Sequence, residues 1–79
     1  MQSKQKIVLV KPEEVKVENE ILLFSHGENN FSFNLRELTA TLSRASAKQL
    51  SDFSVSPSGY GIHWNELDED ISFTGLVNR

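Results

Sequence analysis

The chain has 79 residues, 38% of them hydrophobic and 24% charged, with no cysteine and a formal net charge of −3. A chain of this length builds one small core and buries only roughly 60% of its unfolded surface, so a single domain over residues 1–79 is expected. Without cysteine there is no disulfide framework, no thiolate zinc site and no thiol nucleophile, and the composition fits a reducing cytoplasm.

The longest apolar runs, residues 7–10 and 21–24, are four residues each, against the ~20 that a membrane-spanning helix needs. The first of these runs is also too short for the apolar region of a secretory signal. Five Phe, one Trp and one Tyr supply the large side chains that a folded core requires. Charge is unevenly spread. Residues 1–16 carry a net +2 from four Lys and two Glu, and residues 17–48 a net −1. Residues 49–78 contain no Lys or Arg but hold Asp52, Glu66, Asp68, Glu69 and Asp70. Such a segment repels phosphate and attracts cationic surfaces, which disfavours nucleic acid as its direct partner.

The first five residues read as a frayed end, and residues 6–10 as a β-rich run closed by Pro12. Val15 and Val17 alternate with Lys16 and Glu18, the period of a half-buried strand. Asn19-Glu20 reads as a tight turn, followed by an apolar strand at 21–24 that is close to buried on both faces. Residues 25–30 have hairpin-loop composition, with Gly27 and the asparagines able to adopt positive φ. Phe31-Ser32-Phe33 alternates again, so residues 15–33 predict a three-stranded antiparallel meander.

The period then becomes helical. Leu35, Leu38 and Leu42 share one helix face, with Asn34 as N-cap and Glu37 as its reciprocal partner. Ser46 and Gln49 have capping-box spacing, and Ala45 and Leu50 fit a hydrophobic staple. Two short helices are expected, at about 35–43 and 46–52. Phe53 and Val55 return to period 2, Pro57-Ser58-Gly59 turns the chain, and Tyr60, Ile62 and Trp64 alternate on the return strand. Residues 65–70 read as an acidic loop around Leu67, after which Ile71 and Phe73 alternate briefly. The expected fold class is α+β: a small antiparallel sheet, meander plus C-terminal hairpin, with two short helices. The expected core is Val15, Val17, Ile21, Leu23, Phe31, Phe33, Leu35, Leu38, Leu42, Leu50, Phe53, Ile62, Trp64, Ile71 and Leu76.

No constellation carries a catalytic signature. His63 and Glu66 are close enough to pair, but no nucleophile elbow accompanies Ser58 or Ser72, and His63 is expected on the outer face of an edge strand. Gly59-Tyr60-Gly61 lacks the third glycine of a dinucleotide loop. Its glycines serve a turn (Gly59) and the close approach of a neighbouring backbone or ring (Gly61). Asp68-Glu69-Asp70 does not have the spacing of a calcium loop. No catalytic residue, metal site or cofactor is assigned.

The segment 59–72 resembles a bacterial family catalogued as domain of unknown function 2442. Its C-terminal signature, G-x-G-I-x-W-x-x-L-D-E-D-I-S followed by a Gly-Leu pair, is matched at Gly59, Gly61, Ile62, Trp64, Leu67, Asp68, Glu69, Asp70, Ile71, Ser72, Gly75 and Leu76. The order of elements agrees over about 15–77. Upstream, members often carry Asp-Gly-Arg where this chain has His26-Gly27-Glu28. The resemblance implies a small α+β domain without known catalysis, sometimes joined to a DNA-binding domain and sometimes standing beside a second small protein in proposed toxin–antitoxin pairs.

The functional expectation is a cytoplasmic, non-enzymatic, antitoxin-like domain. Tyr60, His63, Glu66, Asp68, Glu69 and Asp70 would contact a basic protein partner, a toxin being one such partner. The alternative is a regulatory subunit associated with DNA or transcription. Homo-oligomerisation through an edge of the meander is a further expectation.

Overall fold

The structure is a computed structural model that describes residues 7–79. The expectation of a frayed start over residues 1–5, and the first residue of the run at 6–10, lie outside the described residues. Val15–Glu18 forms β1, Ile21–His26 forms β2 and Asn29–Asn34 forms β3, and they make an antiparallel meander in that order. Asn19 and Glu20 join β1 to β2 with φ of 52° and 67°. Positive φ at both central residues is the type I′ arrangement, whose twist matches that of the strands it connects. Gly27, with φ 65°, opens the two-residue loop between β2 and β3.

The register decides which face is core. Val15 lies opposite Phe24 and Val17 opposite Leu22, and these face Phe31 and Phe33 on the other side. Residues paired across strands point to the same face, so these six form one apolar layer. Leu22 and Phe24 are therefore buried, at 0% and 2% exposure. Ile21 and Leu23, expected in the core, lie instead on the opposite face, half-buried beside Glu18 and Asn34 or Lys16 and Ser32. A run of four apolar residues has no alternation of its own; its inward parity is imposed by the neighbouring strands.

The expected helix at 35–43 is broken. Asn34 does cap, its Oδ1 accepting from the Arg36 N–H at 3.0 Å, but the element it caps is a 3₁₀ turn, Leu35–Glu37. Thr39 is extended and starts a new element: its hydroxyl accepts from the Leu42 N–H at 3.1 Å, capping helix α1, Ala40–Ser43. A β-branched side chain that can bond the backbone ahead of it favours a cap over a helix interior. Leu35 and Leu42 are nonetheless both fully buried. Helix α2, Ala47–Ser51, has the expected capping box. The Gln49 N–H donates to Ser46 Oγ at 3.1 Å, and Ser46 N–H to Gln49 Oε1 at 2.9 Å.

A second antiparallel meander comes next: Phe53–Val55 (β4), Gly61–Trp64 (β5) and Glu69–Ser72 (β6). Helix α3, Phe73–Val77, is an element beyond the two expected helices. Ser72 starts it, its Oγ accepting from the Gly75 N–H at 2.9 Å, so Phe73 leaves the strand period. Five residues are too few for a helical period to show in the sequence. Phe73 is fully buried and meets Phe24 edge-on at 4.8 Å, which ties α3 to the first sheet.

The run at 7–10 adds two core residues absent from the expected set. Val8 and Val10 are buried at 0% and 2%, while Ile7 and Leu9 face outward. Val8 N–H donates to Thr74 Oγ1 at 2.9 Å, and Val10 N–H to the Gly59 carbonyl at 2.9 Å. The two three-stranded sheets, three short helices and this segment share one apolar cluster, an α+β architecture.

Candidate partner-binding surface

The second sheet presents one face inward and one outward. Along β5, Ile62 and Trp64 point into the core, so Gly61 and His63 point out. The register carries that outward row across the sheet: Ser54 opposite His63, and His63 opposite Asp70. His63 Nδ1 lies 2.7 Å from Asp70 Oδ1, with side-chain exposures of 38% and 76%. His63 thus sits on an outer face, as expected, but on the central strand rather than an edge strand. Its partner is Asp70, not Glu66. The i, i+3 spacing suggested the wrong carboxylate because the chain turns between β5 and β6.

Small residues hollow this face. With Gly61 between Ser56 and Ser72, a groove of about 710 Å³ opens, walled by Pro57 and Tyr60 at one end and by His63 and Asp70 at the other. This volume lies in the range of small-ligand or peptide pockets. Gly61 is dictated by the opposite strand: a Cβ there would lie 2.6 Å from the Ile71 carbonyl oxygen. The turn that carries Tyr60 is clasped by Ser56. Its Oγ accepts from the Tyr60 N–H at 2.8 Å and the Gly61 N–H at 3.2 Å, and its N–H donates to the Gly61 carbonyl at 2.9 Å. Tyr60 is held there at 55% exposure.

The acidic stretch is divided by the start of β6. The expected loop at 65–70 ends at Asp68, whose φ of 51° closes the turn, and Glu69 and Asp70 are already strand. Glu66 and Asp68 are exposed at the tip, and Leu67 between them packs on the core cluster. Asp70 faces the groove, while Glu69, half-buried, points to the other side of β6 opposite Trp64. The structure therefore brings Tyr60, His63 and Asp70 together along one groove, sets Glu66 and Asp68 beyond its end, and turns Glu69 away. Ser54 and Pro57 also line it. Aligning residues 53–55 against 62–64 about the Pro57-Ser58-Gly59 turn would have found Ser54 opposite His63.

Among the described residues Arg36 forms an ion pair with Glu20, and His63 hydrogen-bonds Asp70. Glu66, Asp68 and Glu69 have no cationic partner among the described residues. Among those residues, no three His, Asp or Glu side chains gather closely enough to hold a metal ion. No helix among them is long and apolar enough to cross a membrane.

The fold and this surface define a small α+β domain of two meanders with an acidic, grooved outer sheet face. The chain belongs to the family described as Protein of unknown function (DUF2442), whose family model matches residues 12–79. It is also similar to a crystal structure of a protein of unknown function from Rhodospirillum rubrum ATCC 11170. That likeness has a TM-score of 0.70 and 28% identity, over 86% of this chain and 84% of the other. A search of curated proteins finds no match.

Proposed function

We propose that this chain is a cytoplasmic protein-binding domain, antitoxin-like and non-enzymatic, whose acidic second sheet docks a basic protein partner. The supporting observation is the placement of the acids. Glu66 and Asp68 stand exposed at the β5–β6 tip with no cationic partner among the described residues, and Asp70 borders the groove beside His63. A one-signed rim beside a partly apolar groove separates the two tasks of docking. The charges steer encounter and reject like-charged proteins, while exposed Tyr60 and Pro57 offer apolar area to bury on contact.

Co-expression with the product of the neighbouring gene, followed by affinity capture and binding kinetics, tests this. The variant Glu66→Gln/Asp68→Asn/Glu69→Gln/Asp70→Asn should slow association about tenfold or more and flatten its salt dependence. Association at the wild-type rate by that variant, or a captured partner with an acidic docking face, would remove the acids from the mechanism.

A further inference from the structure

We propose that β3 is a dimerisation edge: two copies of the chain join by antiparallel β3–β3 pairing about a two-fold axis at Ser32. The inference concerns the first sheet and does not depend on the groove of the second.

The backbone register shows which groups are free. His26 and Asn29 close a two-residue hairpin loop, so they exchange both backbone hydrogen bonds, and bonded pairs alternate from there. Phe31 and Phe33 then direct their N–H and C=O groups to β2, and Asn30, Ser32 and Asn34 direct theirs away. The Leu35 N–H, bonded to the Glu20 carbonyl at 3.0 Å, has the parity this requires. Among the described residues, no other element takes up the outward backbone groups of Asn30, Ser32 and Asn34.

The other edges are guarded in the usual ways. β1 carries Lys16 and Glu18 behind a proline-led turn, β4 has three residues, and β6 carries Glu69 and Asp70. Charges, prolines and shortness are how sheets avoid pairing with other chains. β3, Asn29-Asn30-Phe31-Ser32-Phe33-Asn34, has none of these, and its six pairs with β2 run without a bulge.

The edge is also complementary to itself. A two-fold axis perpendicular to the sheet keeps inward faces inward, so only like-parity residues can meet. Centred on Ser32, it sets Ser32 against Ser32 of the second copy, Asn30 against Asn34, and Phe31 against Phe33. Every outward backbone group of these three polar residues is then satisfied. On the solvent face, exposed amides meet amides. On the inner face, half-buried Phe31 and Phe33, stacked on Phe24 at 5.2 and 6.0 Å, gain cross-strand aromatic neighbours. Without a charge on the strand to select an unlike partner, the fitting occupant is a second copy.

Light scattering on the full chain over a dilution series should show a dimer that dissociates on dilution. Ser32→Lys sets two ammonium groups face to face across the axis and should give a monomer with wild-type circular dichroism; Ser32→Glu should do the same. Mixing the two variants should restore a heterodimer, because residue 32 meets only itself. A wild-type chain monomeric at every concentration, a dimeric Ser32→Lys, or a mixture that stays monomeric would each overturn the proposal. Should either variant misfold, hydrogen exchange on the wild type decides. The amides of Asn30, Ser32 and Asn34 should slow about tenfold or more as concentration rises, and concentration-independent exchange there would overturn it.

Discussion

The indole Nε1 of Trp64 donates a hydrogen bond to the Leu50 carbonyl at 2.9 Å, joining the centre of the second sheet to the last turn of α2. Trp64 is fully buried, and Phe53 packs on it at 6.2 Å. The one tryptophan thus fills core volume and satisfies a buried helix carbonyl with the same ring. Trp64→Ala should destabilise by ~3–5 kcal/mol, which approaches the whole stability of a domain this small. Trp64→Phe keeps most of the packing but leaves the carbonyl bare, for ~1–3 kcal/mol. Urea titration of both variants measures the two contributions.

Gly59 sits against Val10. Its φ is 81°, and a Cβ there would lie 2.5 Å from the Val10 carbonyl oxygen. Left-handed backbone alone costs a non-glycine residue ~1–2 kcal/mol, and the collision adds to it because the obstacle is backbone. Gly59→Ala should therefore cost more than ~2 kcal/mol. It should also detach the 7–10 segment, seen as faster exchange of the Val10 amide, which bonds the Gly59 carbonyl. Gly27→Ala, with the same sign of φ but open space around it, should cost less.

Thr74 is the buried polar side chain that holds the other end of that segment, its Oγ1 accepting from Val8 N–H at 2.9 Å. Thr74→Val keeps the shape and removes the acceptor. The expected loss is ~1–3 kcal/mol, the cost of an unsatisfied buried N–H, with Val8 exchange accelerated more than global unfolding accounts for. Equal effects of Thr74→Val and Thr74→Ser on thermal melting would contradict this role.

Arg36 binds the Glu20 carboxylate through two nitrogens, at 2.7 and 3.0 Å, and gives Nη1 to the carbonyls of Ser43 and Ala45. The hydrogen bond from Arg36 holds Glu20 below its ordinary value of 4.5. A carboxyl lowered on folding adds stability that is full above its unfolded pKa and lost as pH falls through its folded pKa. The expected result is a wild-type melting temperature that drops on acidification below about pH 4.5, with a smaller drop in Glu20→Gln. Parallel curves for the two proteins would show that the pair does not contribute.

Much of this was legible from residues alone. Val15/Val17, Phe31-Ser32-Phe33 and Ile62/Trp64 alternate, and Ser46 and Gln49 have the spacing of a cap, so strands and α2 arise from local periodicity and local hydrogen bonding. Where local signals competed or were too short, the reading failed: Thr39 restarts a helix that the leucine spacing joins, and Ser72 begins one that five residues cannot announce. The candidate surface divides along the same line. Tyr60, His63 and the acids stand out by residue type, but the facing of Asp70 toward His63 and of Glu69 away from it is set by the β5–β6 register.

The chain by itself determined its class, antiparallel strands on either side of short helices, and the gathering of negative charge in its last third, because these depend on neighbours in sequence. Tertiary structure alone decided that Leu22 and Phe24, not Ile21 and Leu23, enter the core, that residues 7–10 are pinned by Gly59 and Thr74, and that β3 has an open edge among the described residues. Each of these depends on which strand lies alongside, and pairing across the chain is a contest of burial and backbone hydrogen bonds that no short window of residues contains.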